Sequence, residues 1–329
     1  MKKIFIRSPY FIQVNEIAQL GSKVELYLYN KGESVPAIPT YVLSKKIPSD
    51  TQTENTYNIS NYAKEFIKPI APVYTSTPTE EDVNCWAYCV VKRYTELTLN
   101  TYTLLDTETF ICLNGYTDYA GGYNNESTAT ILPLFNPAIK KYVKDFTSNY
   151  INVFFEIGNY DTSYGYINVV APTLYKLPIT TENIIIEATI VMNSEQVCEP
   201  KYNPIICKFI NRFGGWQYLT FFKANLQSIE TTNKDFNLLP SSVNYNVLQG
   251  QKRVFNQQGK QKIKCNTGWV DENYFDLIQD LLLSEIVLLD NKPAIIKSQS
   301  SDYKTHLKDK NINYEIEFEY NYGLINDVI

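Results

Sequence analysis

Histidine is almost absent from this chain of 329 residues, which has a single copy, His306. Histidine is the usual general base near neutral pH and the commonest metal ligand, so a catalytic triad or a multi-histidine metal site would depend on this one side chain. His306 lies in the polar stretch SDYKTHLKDKN, which predicts an exposed loop. We therefore expect no catalytic histidine, no metal site and no cofactor.

Cysteines are few, and none of the six forms a C-x-x-C pair. The closest two, Cys85 and Cys89, lie in CWAYCVV, which has the character of a strand, where residues four apart are separated by about 13 Å. That separation exceeds the reach of a disulfide. A zinc site built from distant thiols has no spacing signature to support it. The pattern predicts buried free thiols, which suit assembly in a reducing cytoplasm.

Long apolar runs are missing as well. The chain opens with MKKIFIRSPYF, in which Arg7 and Pro9 interrupt the apolar residues at once. A signal peptide needs roughly 7–15 consecutive apolar residues, and a membrane helix needs about 18. We therefore expect neither classical secretion nor a membrane span.

The common catalytic motifs are absent from the sequence. It contains no phosphate-binding loop, no dinucleotide fingerprint, no nucleophile elbow and no H-E-x-x-H motif. A glycosidase-like pair remains open among the 35 Asp and Glu residues, because such pairs need no fixed spacing, but nothing selects one. The net charge of −5 disfavours a dedicated nucleic-acid binder. We expect a protein that is not an enzyme.

Aromatic residues are abundant, with 27 Tyr, 16 Phe and 3 Trp, and they favour strands over helices. In SKVELYLYN, apolar and other residues alternate with the period of a strand. Short strands separated by turn-rich stretches predict a mainly β fold that begins with a β-sandwich domain, residues 1–177. The stretch APTLYKLPITTEN predicts a boundary, after which residues 178–329 form a β-rich α+β domain with hairpins and one amphipathic helix.

A hairpin is predicted where NPIICKFINRFGGWQYLTFFKAN follows this boundary. Its two arms are Ile206–Ile210 and Trp216–Phe222. Gly214 or Gly215 supplies a positive φ, and Asn211 bonds the backbone at the strand end. The residues singled out for this structural turn are Asn211, Phe213, Gly214, Gly215 and Trp216.

Two helices are predicted from their apolar stripes. SNYAKEFI forms a short helix with Ser60 as its N-cap. DENYFDLIQDLLLSE forms the clearest helix, with Asp271 as its N-cap.

A basic stretch, QKRVFNQQGKQKIKC, predicts a second hairpin that turns at Gly259 and follows a polar loop. It contains no acidic residue between Gln251 and Lys264. Its five cations form either a docking surface for an acidic neighbour or phosphate, or a solvated hairpin: they are Lys252, Arg253, Lys260, Lys262 and Lys264.

The final strand, NYEIEFEYNY, alternates apolar and acidic residues, so that one face packs and the acidic face meets water or a partner. The excess of Tyr on strands has three interpretations: a broad protein interface, sugar binding by stacked aromatics, or packing in the core and at sheet edges.

The segment CKFINRFGGWQYLTFFKAN resembles a hairpin of tail proteins from phages that infect Bacteroidetes-type bacteria. Cys207 departs from that pattern at its first position. The closing helix, strands and polar loop, and the opening RSPYFI and YNISNYAKEFI, are also similar to these proteins. The positions that fit the hairpin pattern are Phe209, Ile210, Asn211, Phe213, Gly214 and Phe221.

This resemblance implies a tail or connector ring protein of a crAss-like, short-tailed phage. The expected function is that of a virion structural protein, which is assembled in the bacterial cytoplasm and forms a ring in the tail or neck around the DNA exit channel. Its expected partners are copies of itself, with twelvefold symmetry favoured over sixfold, together with the portal or adjacent tail rings. DNA is only passing cargo. The alternatives are a tail-associated carbohydrate-binding adhesin and, behind it, a glycan hydrolase.

Overall fold

The computed structural model describes residues 1–48, 53–71, 73–80, 85–144, 149–197, 201–238, 248, 250–298 and 311–325. Strands account for 56% and helices for 7% of the structure, so the predicted mainly β class is confirmed. Within these ranges, no helix is long and apolar enough to cross a bilayer.

The N-terminal part is a six-stranded sheet in the order β4-β3-β7-β8-β1-β9, faced by the two-stranded ribbon β2-β5 and by helix α1. Val24, Leu26 and Leu28 alternate along β3 and fill the core between these layers. The elements are β1 (Lys2–Phe5), β2 (Phe11–Asn15), β3 (Gly21–Tyr29), β4 (Tyr41–Lys46), β5 (Glu54–Asn58), α1 (Ser60–Phe66), β6 (Thr79–Glu80), β7 (Trp86–Thr98), β8 (Thr101–Leu113) and β9 (Glu126–Ser127).

The middle of the chain forms two further sheets, β10-β12-β15-β6 and β11-β17-β16-β13-β14, with a shared core between them. The sequence-based division at residue 178 lies at the end of β15, and the five-stranded sheet takes strands from both sides of it. The strands are β10 (Ile131–Pro133), β11 (Lys141–Val143), β12 (Tyr150–Phe155), β13 (Gly158–Thr162), β14 (Gly165–Val169), β15 (Thr173–Pro178), β16 (Asn183–Ile186) and β17 (Ile190–Gln196).

The C-terminal part is a seven-stranded sheet in the order β19-β18-β22-β23-β24-β21-β20, with helix α2 packed on one face. The predicted combination of hairpins with one amphipathic helix is therefore present. Its elements are β18 (Ile205–Ile210), β19 (Trp216–Phe221), β20 (Leu226–Asn237), β21 (Lys252–Asp271), α2 (Tyr274–Leu282), β22 (Val287–Leu289), β23 (Lys292–Ile296) and β24 (Asn311–Tyr320).

Both predicted helices exist, but their predicted N-caps are wrong. Helix α1 includes Ser60 as its first residue, and the Ser60 hydroxyl donates to the Ser8 carbonyl, 2.7 Å away, rather than capping the helix. Helix α2 starts at Tyr274 after Asn273, because β21 extends through Asp271 and keeps that residue in the sheet.

Five of the six cysteines lie within the described residues, and all five are buried free thiols, as predicted. Burial raises the pKa of Cys265 to about 12 and keeps its thiol protonated. Cys198 lies outside the described residues.

The turn between β18 and β19 is tied to the middle sheets through one buried side chain. Asn211 is 0% exposed. Its Oδ1 accepts hydrogen bonds from the backbone N–H groups of Phe213 and Gly215, at 3.0 and 3.1 Å. Its Nδ2 donates to the Leu134 carbonyl and to Gln217 Oε1, both at 2.7 Å. The side chain therefore closes its own turn and also ties it to the segment that follows β10.

Close backbone contacts hold the same turn against the end of β8. Gly214 has a φ of +85°, and a Cβ at this position would lie 2.9 Å from backbone atoms of Asn114 and Gly115. A Cβ at Gly115 would lie 2.5 Å from the Arg212 carbonyl oxygen. The Tyr116 N–H donates to that same carbonyl at 2.7 Å. Glycine at positions 115 and 214 thus permits the two segments to touch.

Helix α2 places a buried carboxylate, Asp280, beside the contact between this turn and the end of β8. The Tyr116 hydroxyl donates to Asp280 Oδ1 at 3.5 Å, and Arg212 Nε lies 4.0 Å from it. Burial raises the pKa of Asp280 to about 6, despite the opposing effect of Arg212, and the nearby Asp276 adds to the rise. The long contacts only partly replace the water that this carboxylate loses.

We predict that Gly214→Ala lowers the free energy of unfolding by about 3 kcal/mol, since the added Cβ meets both a positive φ and a packed backbone. Gly32→Ala is the matched control, because Gly32 has a φ of +86° but no atom within 4 Å of its added Cβ. The control should cost about 1 kcal/mol. Urea unfolding compares the two variants, and equal losses would contradict the packing argument.

We predict that Asp280→Asn changes how stability depends on pH. Between about pH 4, the ordinary aspartate value, and about pH 6, the folded wild type retains a proton that the unfolded chain has released. Wild-type stability contributed by this group therefore falls as the pH rises through that window. The variant lacks this fall, so its stability relative to wild type should increase from pH 4 to pH 7. A difference independent of pH in urea titrations would refute the assignment.

Candidate functional site

A long two-stranded arm projects from the edge of the C-terminal sheet. It consists of β20 paired with the first half of β21, from Leu226 opposite Lys264 to Asn237 opposite Lys252. Strand β24 pairs with β21 only from Lys262 onwards, so the part of the arm beyond that point has no third strand. Every residue of β20 is exposed. The arm is therefore exposed along most of its length.

Apolar side chains lie on both faces of the arm, although nothing in the described structure covers them. Phe236 and Phe255 are 45% and 44% exposed, and their rings pack edge to face with centroids 5.7 Å apart. Ile229 and Val254 are more than half exposed. Isolated two-stranded ribbons are marginally stable in water, so an arm of this kind gains stability when another surface covers it.

The predicted turn at Gly259 is wrong, because β21 runs without interruption from Lys252 to Asp271. Gly259 pairs with Thr231 in the middle of the arm. The C-terminal segment crosses at this point: the Leu324 N–H donates to the Gly259 carbonyl at 2.8 Å, and a Cβ at Gly259 would lie 2.9 Å from Leu324 Cδ1. The glycine therefore permits a close crossing, not a reversal of the chain.

Strand β20, which pairs with β21 to form the arm, was not predicted. Its residues were interpreted as a polar loop. Its sequence, LQSIETTNKDFN, shows little alternation because both of its faces meet solvent. Apolar and polar residues alternate along a strand when one of its faces is buried. Neither face of β20 is buried, so its sequence lacks this alternation.

The three lysines near the base of the arm share one face, as the sequence predicted, and each has a carboxylate partner within the chain. Lys262 binds Glu230 of β20 at 2.5 Å. Lys260 binds Glu319 at 3.1 Å, and Lys264 binds Glu315 at 2.5 Å, both of β24. The acidic face of the last strand thus lies beside the basic row of β21, and an outside acidic partner would compete with it.

Glu319 is the most enclosed member of this charged face. Its side chain is 6% exposed and binds both Lys260 and Lys297, the latter at 3.2 Å. Burial alone would raise the pKa of Glu319, but the hydrogen bonds from Lys260 and Lys297 hold it below its usual range. Glu315 lies on the same face of the same strand but is 52% exposed.

The remaining two cations of the basic stretch lie at the far end of the arm. Lys252 pairs with Asp235 at 3.3 Å. Arg253 lies opposite Phe236, and Lys234 lies opposite Phe255, so these four side chains share one face. Neither Lys234 nor Arg253 has an ion-pair partner among the described residues.

Most aromatic residues of the predicted strands are enclosed. Trp86 is buried and packs edge to face on Phe154 between two sheets. Lys92 lies over the ring of Tyr27, 4.6 Å from its centroid, and covers a face that a sugar would need. Trp269, which no local pattern in the sequence distinguishes, is 68% exposed. Sugar binding by stacked aromatics stays a prediction.

Across the part of the chain that the structure describes, no three His, Cys, Asp or Glu side chains are grouped to hold a metal ion. His306 lies outside the described residues. Neither a protein-family model nor a curated protein matches the chain.

We predict that Glu319→Gln lowers the melting temperature at pH 7 by several degrees more than Glu315→Gln does. The first substitution removes an enclosed carboxylate from two lysines. The second removes an exposed ion pair, which contributes little to stability. Because the pKa of Glu319 is lowered in the folded state, its contribution is present above about pH 4.3 and is lost as the pH falls through the folded value. Thermal melts from pH 7 down to pH 2 test this, and a gap that does not narrow as the pH falls would contradict it.

Proposed function

We propose that this chain is a virion structural protein that forms an oligomeric ring in the tail or neck of a short-tailed phage, around the DNA exit channel. Its role is mechanical: neighbouring copies cover one another's exposed strands and build a wall. The partners in this proposal are further copies of the chain, the portal and adjacent tail rings. The chain is assembled in the bacterial cytoplasm and resides in the virion.

The observation that carries the proposal is the arm formed by β20 and β21. An edge strand of twelve residues that is exposed on both faces is a template for pairing with another chain, and proteins normally blunt or cover such edges. Here the far end of the arm also exposes Phe236 and Phe255. A neighbouring copy in a closed ring would cover both the edge and the aromatic pair.

Charge supports the role assigned to DNA. The net charge of −5 suits a wall that DNA passes without being gripped, since a surface that binds the phosphate backbone needs an excess of cations. The lysines of the basic row are largely matched by glutamates, which leaves little free positive charge along the base of the arm.

The test is a symmetry-resolved image of the portal–tail axis of purified virions of the phage that encodes the chain. We expect this chain as a ring, with twelve copies favoured over six. Mass spectrometry of the same particles should find it among the structural proteins. Its presence as trimeric spikes on the capsid, or its absence from the particle, would overturn the proposal.

A further inference from the structure

We propose that the far end of the arm of one copy binds the surface around Trp269 of the next copy, in a head-to-tail contact. This inference rests on the proposed function, because it names the two surfaces by which copies in the ring would meet. Below, the arm end means Lys234, Phe236, Arg253 and Phe255, and the Trp269 surface means Trp269 and Asp271.

The arm end is a small aromatic and basic surface that lacks a partner in the described chain. The pairing register places Phe236 opposite Arg253 and Phe255 opposite Lys234, so cations and rings alternate over two neighbouring residue pairs on one face. Both rings are nearly half exposed. The bulge next to Lys234, where Asn256 adopts a φ of +48°, places both phenylalanines on this face.

The Trp269 surface combines an exposed ring with a carboxylate. Trp269 and Asp271 point to the same, exposed face of β21, because Val270 between them is buried. From residue 265 to residue 291 the chain contains no Lys or Arg. Asp271 has no ion-pair partner within 4 Å among the described residues, and it accepts a hydrogen bond from the Tyr142 hydroxyl at 3.2 Å.

Two lysines border the Trp269 surface. Lys140 is bound to Glu195, and Glu195 and the nearby Asp271 both raise the pKa of Lys140. The aliphatic stem of Lys223 lies over Gly268, next to the tryptophan in sequence. An exposed tryptophan beside a carboxylate is suited to a partner that offers cations and apolar rings, since Trp is the strongest cation–π acceptor and a frequent interface hot spot.

The two surfaces lie toward opposite ends of the same strand and cannot meet within one molecule. Arg253 and Trp269 are sixteen residues apart along β21, which separates them by about 50 Å at the rise of an extended strand. Because this distance keeps the two surfaces apart within one chain, we expect them to pair between copies. Such a contact joins different patches on the two partners, so it is heterologous and propagates into a ring when its rotation closes.

The first test is sedimentation of the full chain up to millimolar concentration, at low and high salt. We expect association that grows with concentration and weakens with salt, since part of it is electrostatic.

Trp269→Ser, and the double variant Phe236→Ser with Phe255→Ser, should each weaken association at least tenfold with unchanged melting curves. Tyr119→Ser is the control, because Tyr119 is fully exposed and lies on neither surface. A chain that stays monomeric throughout, or an equal effect of Tyr119→Ser, would overturn the proposal.

The second test mixes the two defective variants. The Trp269→Ser chain keeps an intact arm end, and the double phenylalanine variant keeps an intact Trp269 surface. Head-to-tail binding therefore predicts that each variant alone is monomeric and that the mixture forms dimers but nothing larger. A mixture that stays monomeric, or oligomers formed by either variant alone, would refute the contact.

The outcomes separate this contact from the proposed function. If the virion image shows a ring while the mixture fails to dimerise, the ring proposal stands and the contact is wrong. If the mixture dimerises but the virion lacks a ring, the contact is correct and the function is wrong.

Discussion

The buried side chain of Asn211 is the interaction on which the arrangement of sheets depends. It accepts two backbone hydrogen bonds within its own turn and donates one to the Leu134 carbonyl, across to the middle sheets. On the other side, Gly214 and Gly115 let the same turn touch the end of β8. A single turn thus fixes the C-terminal sheet against both preceding parts of the chain. An unsatisfied amide at 0% exposure would cost about 1–3 kcal/mol, so the turn and its two neighbours stabilise one another.

Two strands, β12 and β19, are buried on both faces, and each contributes side chains to two different cores. Along β12, Tyr150 and Phe154 pack towards the N-terminal sheet and the hairpin, whereas Ile151 and Val153 pack between the two middle sheets. Strand β19 behaves in the same way, since Trp216 joins the first of these cores and Phe221 joins that of the C-terminal sheet. Such strands leave no room for one sheet to slide over another. The arm therefore projects from a rigid body.

The ion pairs of β21 differ between the base of the arm and its far end. Near the base, the glutamates of β24 and β20 lie beside the lysines, and the pairs close the face to outside partners. At the far end β24 is absent, and Lys234 and Arg253 have no ion-pair partner among the described residues beside the exposed phenylalanines. Part of this contrast follows from strand length, because β21 extends beyond its acidic neighbour β24; at the far end Lys252 pairs instead with Asp235 of β20. The region available for binding is thus the part of the arm beyond the end of β24.

Local patterns in the sequence determined the mainly β class, both helices, and the hairpin with Asn211 and Gly214 in its turn, because each depends on residues close together in the chain. The common face of the three lysines was also predictable from the period of a strand. Tertiary structure decided the rest. Gly259 lies mid-strand because Leu324 crosses there, and Ser60 bonds Ser8 instead of capping a helix. The polar strand β20, and the pairing of the basic row with glutamates, depend on strands that are distant in sequence, and no local period reports which strands become neighbours.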